Sequence, residues 1–172
     1  MTDYDLTPKP PTESAVELVQ HMELTDANLS GNVHGGVIMR LIDTAAGIAA
    51  HKHCGGRVVT VAMDEMSFLE PVFIGEVVTV RAMVNDVGRT SMEVGARVEA
   101  ENFETKRKVH SSSAYLVFVA LDMAGKPREV PPLVAETEEQ QQRQREAKLR
   151  REARLQRKVA IDAARRAAGE CD

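Results

Sequence analysis

The sequence predicts an α+β domain in which one long helix packs against an antiparallel sheet. Residues 37–50 are apolar almost throughout, as in a central helix that is wrapped by sheet or by a neighbouring subunit. Residues 57–122 instead contain several β-branched runs separated by turn signals, as in a strand meander. One helix layered on one antiparallel sheet buries the apolar faces of both, so this pattern favours a two-layer domain.

The predicted elements follow one another in a simple order. Residues 14–24, SAVELVQHMEL, are rich in Val and Leu and predict a first strand. Turn formers at 25–32 lead to a helix that starts at His34-Gly35-Gly36 and stops at the glycines after Cys54. RVVTVAM, EVVTVRAMV and SMEVGARVEA predict three further strands. SSSAYLVFVALD, at 111–122, is apolar on both faces and predicts a strand covered on both sides by its own chain or by a partner.

Length and composition exclude several classes of protein. A chain of 172 residues fits one domain with an appendage, and a net charge of -4 gives no basic field for nucleic acid or an anionic membrane. Cys54 and Cys171 are far apart in sequence and predict neither a disulfide framework nor a zinc site, which favours a reducing compartment. No apolar run approaches the roughly 20 residues of a membrane span. We therefore expect a soluble cytoplasmic protein without a nucleic-acid or membrane partner.

Changes in composition divide the chain into three parts. Residues 1–13 are polar and Pro-rich and predict a flexible leader, residues 14–132 form the folded domain, and residues 133–172 predict a charged helical tail. The tail carries dense charges of both signs and its few large apolar residues form no heptad seam. It is either a solvated helix or frayed tail, or a contact for protein or RNA through its arginines.

The predicted central helix carries two charges, Arg40 and Asp43. Buried acids are uncommon unless they are paired or functional, so Asp43 is either an ion-pair partner of Arg40 or a catalytic acid. Gly35 and Gly36 lie in the first turn, where N–H groups lack partners within the helix. They either let a ligand oxygen approach those donors, as in an oxyanion hole, or simply form a tight turn.

Helix geometry constrains how these residues could cooperate. At roughly 1.5 Å of rise per residue, Gly36 and Asp43 stand about 10 Å apart, too far to act on the same carbonyl carbon. If both act on one substrate, the acid must come from a second, antiparallel copy of the helix. A C2 dimer supplies that copy and creates two equivalent sites.

These residues resemble the hotdog-fold acyl-CoA thioesterases, in the branch of bacterial acyl-CoA hydrolases and cytosolic long-chain enzymes of animals. The pattern is Asn28-x-x-Gly31-Asn32-x-His34-Gly35-Gly36, followed by Asp43 in LID. VVTVAMDEMSFLEPVFIGEVVTV, GRTSMEV and DMAGKPREVP then follow in the family order, so the resemblance covers residues 14–132. It implies a curved antiparallel sheet wrapped around one central helix, dimers whose sheets join, and often trimers of dimers, that is, hexamers.

The resemblance also implies a reaction, the hydrolysis of acyl-CoA to a fatty acid and CoA. Asp43 of one protomer acts as general base or as nucleophile, and Asn28 of the other orients the water or the substrate. The amides of Gly35 and Gly36 stabilise charge on the thioester oxygen. No cofactor is expected beyond CoA itself as part of substrate and product, and no metal is expected.

Cations and turn amides are expected to hold the CoA end of the substrate. The predicted substrate-binding and CoA-binding residues are His34, Thr60, Arg57, Gly88, Arg89, Thr90, Ser91, Lys126 and Arg128. His34 stands where this branch often has an aromatic residue, and we expect it to tune the pocket. The run His51-Lys52-His53-Cys54 resembles a metal-binding motif, but residues two apart on a helix point away from each other.

Two other functions are compatible with the same fold. A hotdog hydratase or dehydratase needs a histidine paired with the acid, and no histidine follows Asp43 before His51. A non-catalytic acyl-CoA sensor or carrier would keep the pocket without turnover. Retention of Asn28 and Asp43 favours the hydrolase over the sensor.

Overall fold

The computed structural model describes residues 4–167 and has five strands and two α-helices in that range. The elements are β1 (Val16–His21), α1 (Gly35–Cys54), β2 (Val58–Phe68), β3 (Val77–Val87), β4 (Ser91–Glu101), β5 (Lys108–Ala120) and α2 (Glu138–Ala167), with short 3-10 turns at Pro11–Ser14 and Leu24–Asp26. Within the described residues, no helix is both long enough and apolar enough to cross a membrane.

The five strands form one antiparallel sheet in the order β1-β3-β4-β5-β2. α1 packs on the inner face of this sheet, which confirms the predicted α+β architecture. The side chains that α1 buries are Ile38, Leu41, Ile42, Ala45, Ala46, Ala49 and Ala50. Four of these are alanines, and such short side chains let the helix backbone lie close to the strands.

Both ends of α1 have the signals that the sequence indicates. His34 is the N-cap, and its Nδ1 accepts a hydrogen bond of 2.9 Å from the Gly36 N–H. Gly55 follows the last turn with φ of 66°, and its N–H donates to the His51 carbonyl. Glycine reaches this left-handed conformation without a steric penalty, which explains why the helix stops there.

The last two strands confirm their predicted patterns. On β4, Met92, Val94, Ala96 and Val98 are buried towards α1, as their alternation predicts. β5 buries Leu116 and Phe118 towards α1, while Val117 on the outer face is covered by Ala147 of α2. β5 is therefore covered on both sides, and its own chain supplies both covers.

The solvated-tail interpretation is wrong for the first half of α2, which crosses the outer face of the sheet. Its contacts proceed from strand to strand: Gln144 to Asp86 of β3, Arg150 to Glu93 of β4 and to the Tyr115 ring of β5, and Arg154 to Asp64 of β2. Two of the arginines that suggested a solvated or RNA-binding surface, Arg150 and Arg154, instead pair with acids that the strands bury. Residues 168–172, including Cys171, lie outside the described part of the chain.

The flexible-leader prediction also differs from the structure over residues 9–13. The N–H of Lys9 donates to the Pro132 carbonyl at 2.9 Å, and the Lys9 carbonyl accepts from the Val134 N–H at 3.0 Å. Ser14 is buried, and its Oγ accepts a hydrogen bond from the Val84 N–H. These contacts fix the segment against β3 and against residues 132–134, which precede α2.

Two side chains at the end of α1 pack inside the fold. His53 and Cys54 are buried, and the His53 Nε2 lies 2.9 Å from the Pro131 carbonyl oxygen. Burial lowers the pKa of His53 and raises the pKa of the Cys54 thiol, so both side chains stay uncharged at neutral pH. Within residues 4–167, no three potential ligands among His, Cys, Asp and Glu come together.

The Arg150–Glu93 pair should be the strongest polar link between α2 and the sheet. The Arg150 Nη2 lies 2.7 Å from Glu93 Oε1, and Glu93 is buried. We expect Arg150→Ala to lower the free energy of unfolding by about 3 kcal/mol, because it leaves a buried carboxylate unpaired. Urea denaturation measures this. Arg145→Ala is the matched control, since Arg145 is exposed and its hydrogen bonds within residues 4–167 go to Gln142 of its own helix; equal stability of the two variants would contradict the prediction.

Candidate active site

Asp43 lies on an open face of α1 within a single chain. Its neighbours on this face include Met39 and Ile48, which are 42% and 45% exposed. The sheet covers only the other face of α1, so a single protomer supplies one of the two covers that the sequence predicts, sheet and neighbouring subunit. Within the described residues the hydrogen-bond partner of Asp43 is Thr60 and not Arg40, so the ion-pair alternative is not realised.

Thr60 of β2 holds the Asp43 carboxylate in place. Its Oγ1 donates to Asp43 Oδ1 at 2.8 Å, which leaves the second carboxylate oxygen, Oδ2, open to other partners. We predicted Thr60 only as a substrate-binding or CoA-binding residue. The structure gives it a direct contact with the acid, which the sequence did not reveal because the two residues are 17 positions apart.

A cleft of about 500 Å³ opens beside Asp43, and we call it the Asp43 cleft. It lies between α1 and the start of β2. Its lining residues are Asp43, Thr44, Gly47, Ile48, His51, Arg57, Val58, Thr60 and Phe118. The cleft therefore combines apolar side chains with one carboxylate, one histidine and one arginine.

A second cleft, of about 370 Å³, opens at the N-terminal end of α1, and we call it the Gly35 cleft. Its lining residues are Asn28, Asn32, Val33, Gly35, Ile38, Phe68, Leu69, Glu70, Pro71, Val72 and Ser111. The two clefts share no lining residue. One protomer thus separates the acid from Asn28 and Gly35, as the helix rise predicted.

Asn28 shapes the loop that enters the Gly35 cleft. Its Oδ1 accepts hydrogen bonds from the N–H groups of Ser30, at 2.8 Å, and Asn32, at 3.2 Å. This turn uses the side-chain oxygen as a local acceptor. The Asn28 amide nitrogen, Nδ2, is left as the donor that this side chain can offer to a ligand.

The two glycines at the start of α1 differ in what their amides can do. The Gly36 N–H is occupied by His34 Nδ1, whereas the Gly35 N–H has no hydrogen-bond partner within residues 4–167. Gly35 also lines the cleft, while Gly36 does not. Of the two amides predicted to bind the thioester oxygen, the Gly36 N–H is already used by the histidine cap. The Gly35 N–H is the one that a ligand could reach.

Phe68 lines the Gly35 cleft, and its contact with the helix start was not predicted from the sequence. A Cβ placed on Gly35 would lie 3.3 Å from the Phe68 Cζ, tighter than an ordinary van der Waals contact. Gly35 therefore lacks a side chain at a point where an aromatic ring closes on the helix start. The only sequence signal was an aromatic residue at the end of a strand, which is too common to predict such a contact.

The predicted CoA-binding residues occupy different places. Arg57 lines the Asp43 cleft, and Lys126 is exposed in the turn after β5. Residues 88–91 form the turn between β3 and β4, where the Gly88 N–H donates to the Ser91 carbonyl. The carbonyls of Arg89 and Thr90 in this turn accept from Val130 and Ala120, which fixes its backbone.

Arg128 has a structural role that conflicts with its prediction as a CoA-binding residue. It is buried, and its guanidinium donates to the carbonyls of Cys54, Leu121 and Glu129. The guanidinium also lies 3.8 Å from the Tyr4 ring centroid. Because backbone carbonyls satisfy this cation, it ties the end of α1 to the strand ends and is not placed to meet a phosphate.

Comparisons with known proteins identify the family. Residues 30–105 match the thioesterase superfamily model. The chain is 38% identical over 128 residues to an uncharacterized acyl-CoA thioester hydrolase of Bacillus subtilis, and the match covers 74% of each chain. It is 36% identical over 147 residues to the mouse cytosolic acyl coenzyme A thioester hydrolase, covering 83% of this chain but 39% of the mouse protein. The chain thus spans about two fifths of the length of its curated mammalian relatives.

Solved structures give the same family. The Staphylococcus aureus acyl-CoA hydrolase in complex with butyryl-CoA, CoA and CoA disulfide superposes with a TM-score of 0.85 at 31% identity, covering 94% of this chain and 98% of that one. That enzyme was also solved as three alanine variants, of an aspartate, an asparagine and a threonine. A hexameric acyl-CoA thioesterase matches with a TM-score of 0.85 at 32% identity, covering 88% of this chain and 97% of that one.

Proposed function

This chain belongs to the thioesterase superfamily, and from that premise we propose that it hydrolyses acyl-CoA to a free fatty acid and CoA. The observation that carries the proposal is the presence of two chemically complementary clefts on each chain. One presents a carboxylate held by Thr60, and the other presents an amide donor at Gly35 beside Asn28. The three variants of the Staphylococcus aureus enzyme concern the same residue types as Asp43, Asn28 and Thr60, which supports this assignment.

The reaction proceeds at the thioester carbonyl. Its oxygen accepts from the Gly35 N–H, which stabilises the negative charge of the tetrahedral state. In one route Asp43 takes a proton from water as the water oxygen bonds to the carbonyl carbon. In the other, the Asp43 oxygen bonds to that carbon itself and forms an anhydride, which water then hydrolyses. Both routes break the carbon–sulfur bond, and the departing CoA thiolate receives a proton.

The complete site forms between two protomers in this proposal. Asp43 and Thr60 come from one protomer, and Asn28 and Gly35 come from the other. The open face of α1 around Asp43 supports this, because a second antiparallel copy of the helix would cover Met39 and Ile48. The hexameric state of a related thioesterase supports the further assembly of three such dimers.

Arg57 is the cation that we place nearest to the CoA end, because it lines the Asp43 cleft. Arg89, Lys126 and the side chains of Thr90 and Ser91 remain further proposed contacts for the nucleotide, whereas His34 acts through the helix cap. The reaction needs no cofactor, since CoA is part of substrate and product. The cytosolic location named for the mammalian relatives supports a cytoplasmic location for this chain.

The test is the release of free thiol from acetyl-, hexanoyl- and palmitoyl-CoA by the purified protein. Turnover with at least one chain length is the expected result, and the ranking gives the acyl preference. Tight acyl-CoA binding without thiol release would instead identify a non-catalytic sensor or carrier. If the protein shows neither acyl-CoA binding nor thiol release, an acyl-CoA ligand is rejected altogether.

A further inference from the structure

The C-terminal part of α2 extends past the edge of its own sheet. β2 is the last strand in the sheet order, and Arg154 and Arg157 reach its Asp64 from α2. α2 continues to Ala167. Ten further residues of helix extend about 15 Å, the width of about three strands. This segment, residues 158–167, therefore lies beyond the protomer's own sheet.

The face of α2 that meets the sheet continues into this projecting segment. Arg150, Arg154, Arg157 and Ile161 are spaced by four, three and four residues, so they lie along one side of the helix. The first three contact buried acids or approach them. Ile161 continues the same side but is 44% exposed, because the sheet has ended. The projecting segment thus presents an apolar residue on its docking side.

The sheet offers a matching surface next to this edge. β2 pairs only with β5 within the described chain, so its outer edge has unpaired backbone groups that can receive another strand. Val58 and Thr60 line the Asp43 cleft on the inner face. Val59, between them, points to the outer face and is 42% exposed.

We propose that residues 158–167 of α2 dock on the outer sheet face of a second copy of this chain, with Ile161 near Val59 of that copy. This inference rests on the proposed function, whose composite site needs a second protomer against the open face of α1. That face lies beside β2, since Thr60 bonds Asp43. The second copy therefore occupies the space into which α2 projects.

Two-fold symmetry makes the arrangement reciprocal. Each protomer extends its own α2 onto the sheet of the other, so every dimer contains two such contacts. The ion pairs of Arg150 and Arg154 hold the first half of each helix on its own sheet and aim the second half at the partner. α2 thus links the two protomers that share the active sites.

The first test is the oligomeric mass of Ile161→Asp by light scattering over a dilution series. Losing the burial of an isoleucine weakens each contact about tenfold, and two contacts per dimer raise the dimer dissociation constant about a hundredfold. Val159→Asp is the matched control, because Val159 is equally β-branched, lies on the opposite side of the helix and is 66% exposed. Equal dissociation constants for the two variants would overturn the proposal.

A second measurement locates the contact. In a Cys171→Ser background, with Cys54 buried, Ile161→Cys is combined with Val59→Cys and treated with a short bismaleimide. A covalent dimer on a denaturing gel is the expected product. A cross-link within one chain, or none in an intact dimer, would overturn the docking on Val59. If the wild type hydrolyses acyl-CoA as a monomer, the proposal of a site shared between protomers is wrong. That result is distinct from a dimer that forms without the α2 contact, which would reject only the docking of α2.

Discussion

Asp43→Asn should lower turnover of acyl-CoA about 1,000-fold or more while leaving its binding intact. The substitution removes the base or nucleophile, and positioned proton transfer alone is worth about 10²- to 10⁴-fold. Asn keeps an oxygen that can accept from Thr60 Oγ1, so the local geometry at 2.8 Å should persist. Turnover is measured by thiol release, and binding by calorimetry with the intact thioester.

The control for this variant is Glu152→Gln, which neutralises an exposed carboxylate on α2 outside both clefts. It should leave both turnover and binding at wild-type values. If Asp43→Asn retains more than about a tenth of wild-type turnover, Asp43 is neither the base nor the nucleophile, since either role requires a far larger loss.

Asn28→Asp should lower turnover by about 100-fold without unfolding the protein. The carboxylate keeps the oxygen that accepts from the Ser30 and Asn32 N–H groups, so the loop stays formed. It replaces the Nδ2 donor with a second acceptor and places a negative charge where Asn28 should orient the water or the substrate. Loss of one positioned donor typically costs about 10² to 10³ in turnover.

The chain offers a matched control for this change. Asn102 Oδ1 accepts from the N–H groups of Glu104 and Thr105, both at 3.0 Å, in a turn remote from both clefts. Asn102→Asp therefore makes the same chemical change in a similar turn, whose backbone N–H groups also bond the asparagine side-chain oxygen. Wild-type turnover in Asn102→Asp together with the loss in Asn28→Asp assigns the effect to the site. An equal loss of turnover in both variants would show that replacing the turn asparagine lowers activity by disturbing the fold and not the site.

Local signals explain why much of the fold was predictable. The α1 boundaries depend on residues within one turn of each end, His34 at the start and Gly55 at the stop. The alternation on β4 likewise records which face is buried. Such patterns are set by neighbours in sequence, so sequence alone predicts them.

Long-range contacts explain what could not be predicted. The docking of α2 depends on Asp64 and Glu93, two strand acids whose burial is invisible without the fold. A helix dense in both charge signs is normally solvated, and its sequence gave no seam of apolar residues. The role of α2 was therefore misread because its partners are charged.

The same distinction between local and long-range signals applies to the candidate site. Asp43 and Gly35 stood out because a lone acid and a glycine pair are unusual in an apolar helix. The capture of the Gly36 amide by His34 and the bond from Thr60 to Asp43 depend on side-chain geometry that residue types alone do not specify. Residue types thus single out Asp43 and Gly35 as candidates but do not specify the contacts that surround them.

Complementation between inactive variants tests the composite site most directly. Asp43→Asn and Asn28→Asp are co-expressed in equal amounts, and thiol release by the mixture is compared with that of each parent. Random pairing makes about half of the dimers mixed, and each mixed dimer has one intact site of two. The account predicts recovery to about a quarter of wild-type turnover. Activity no higher than that of the parents, in dimers shown to be mixed, would contradict a site shared between protomers.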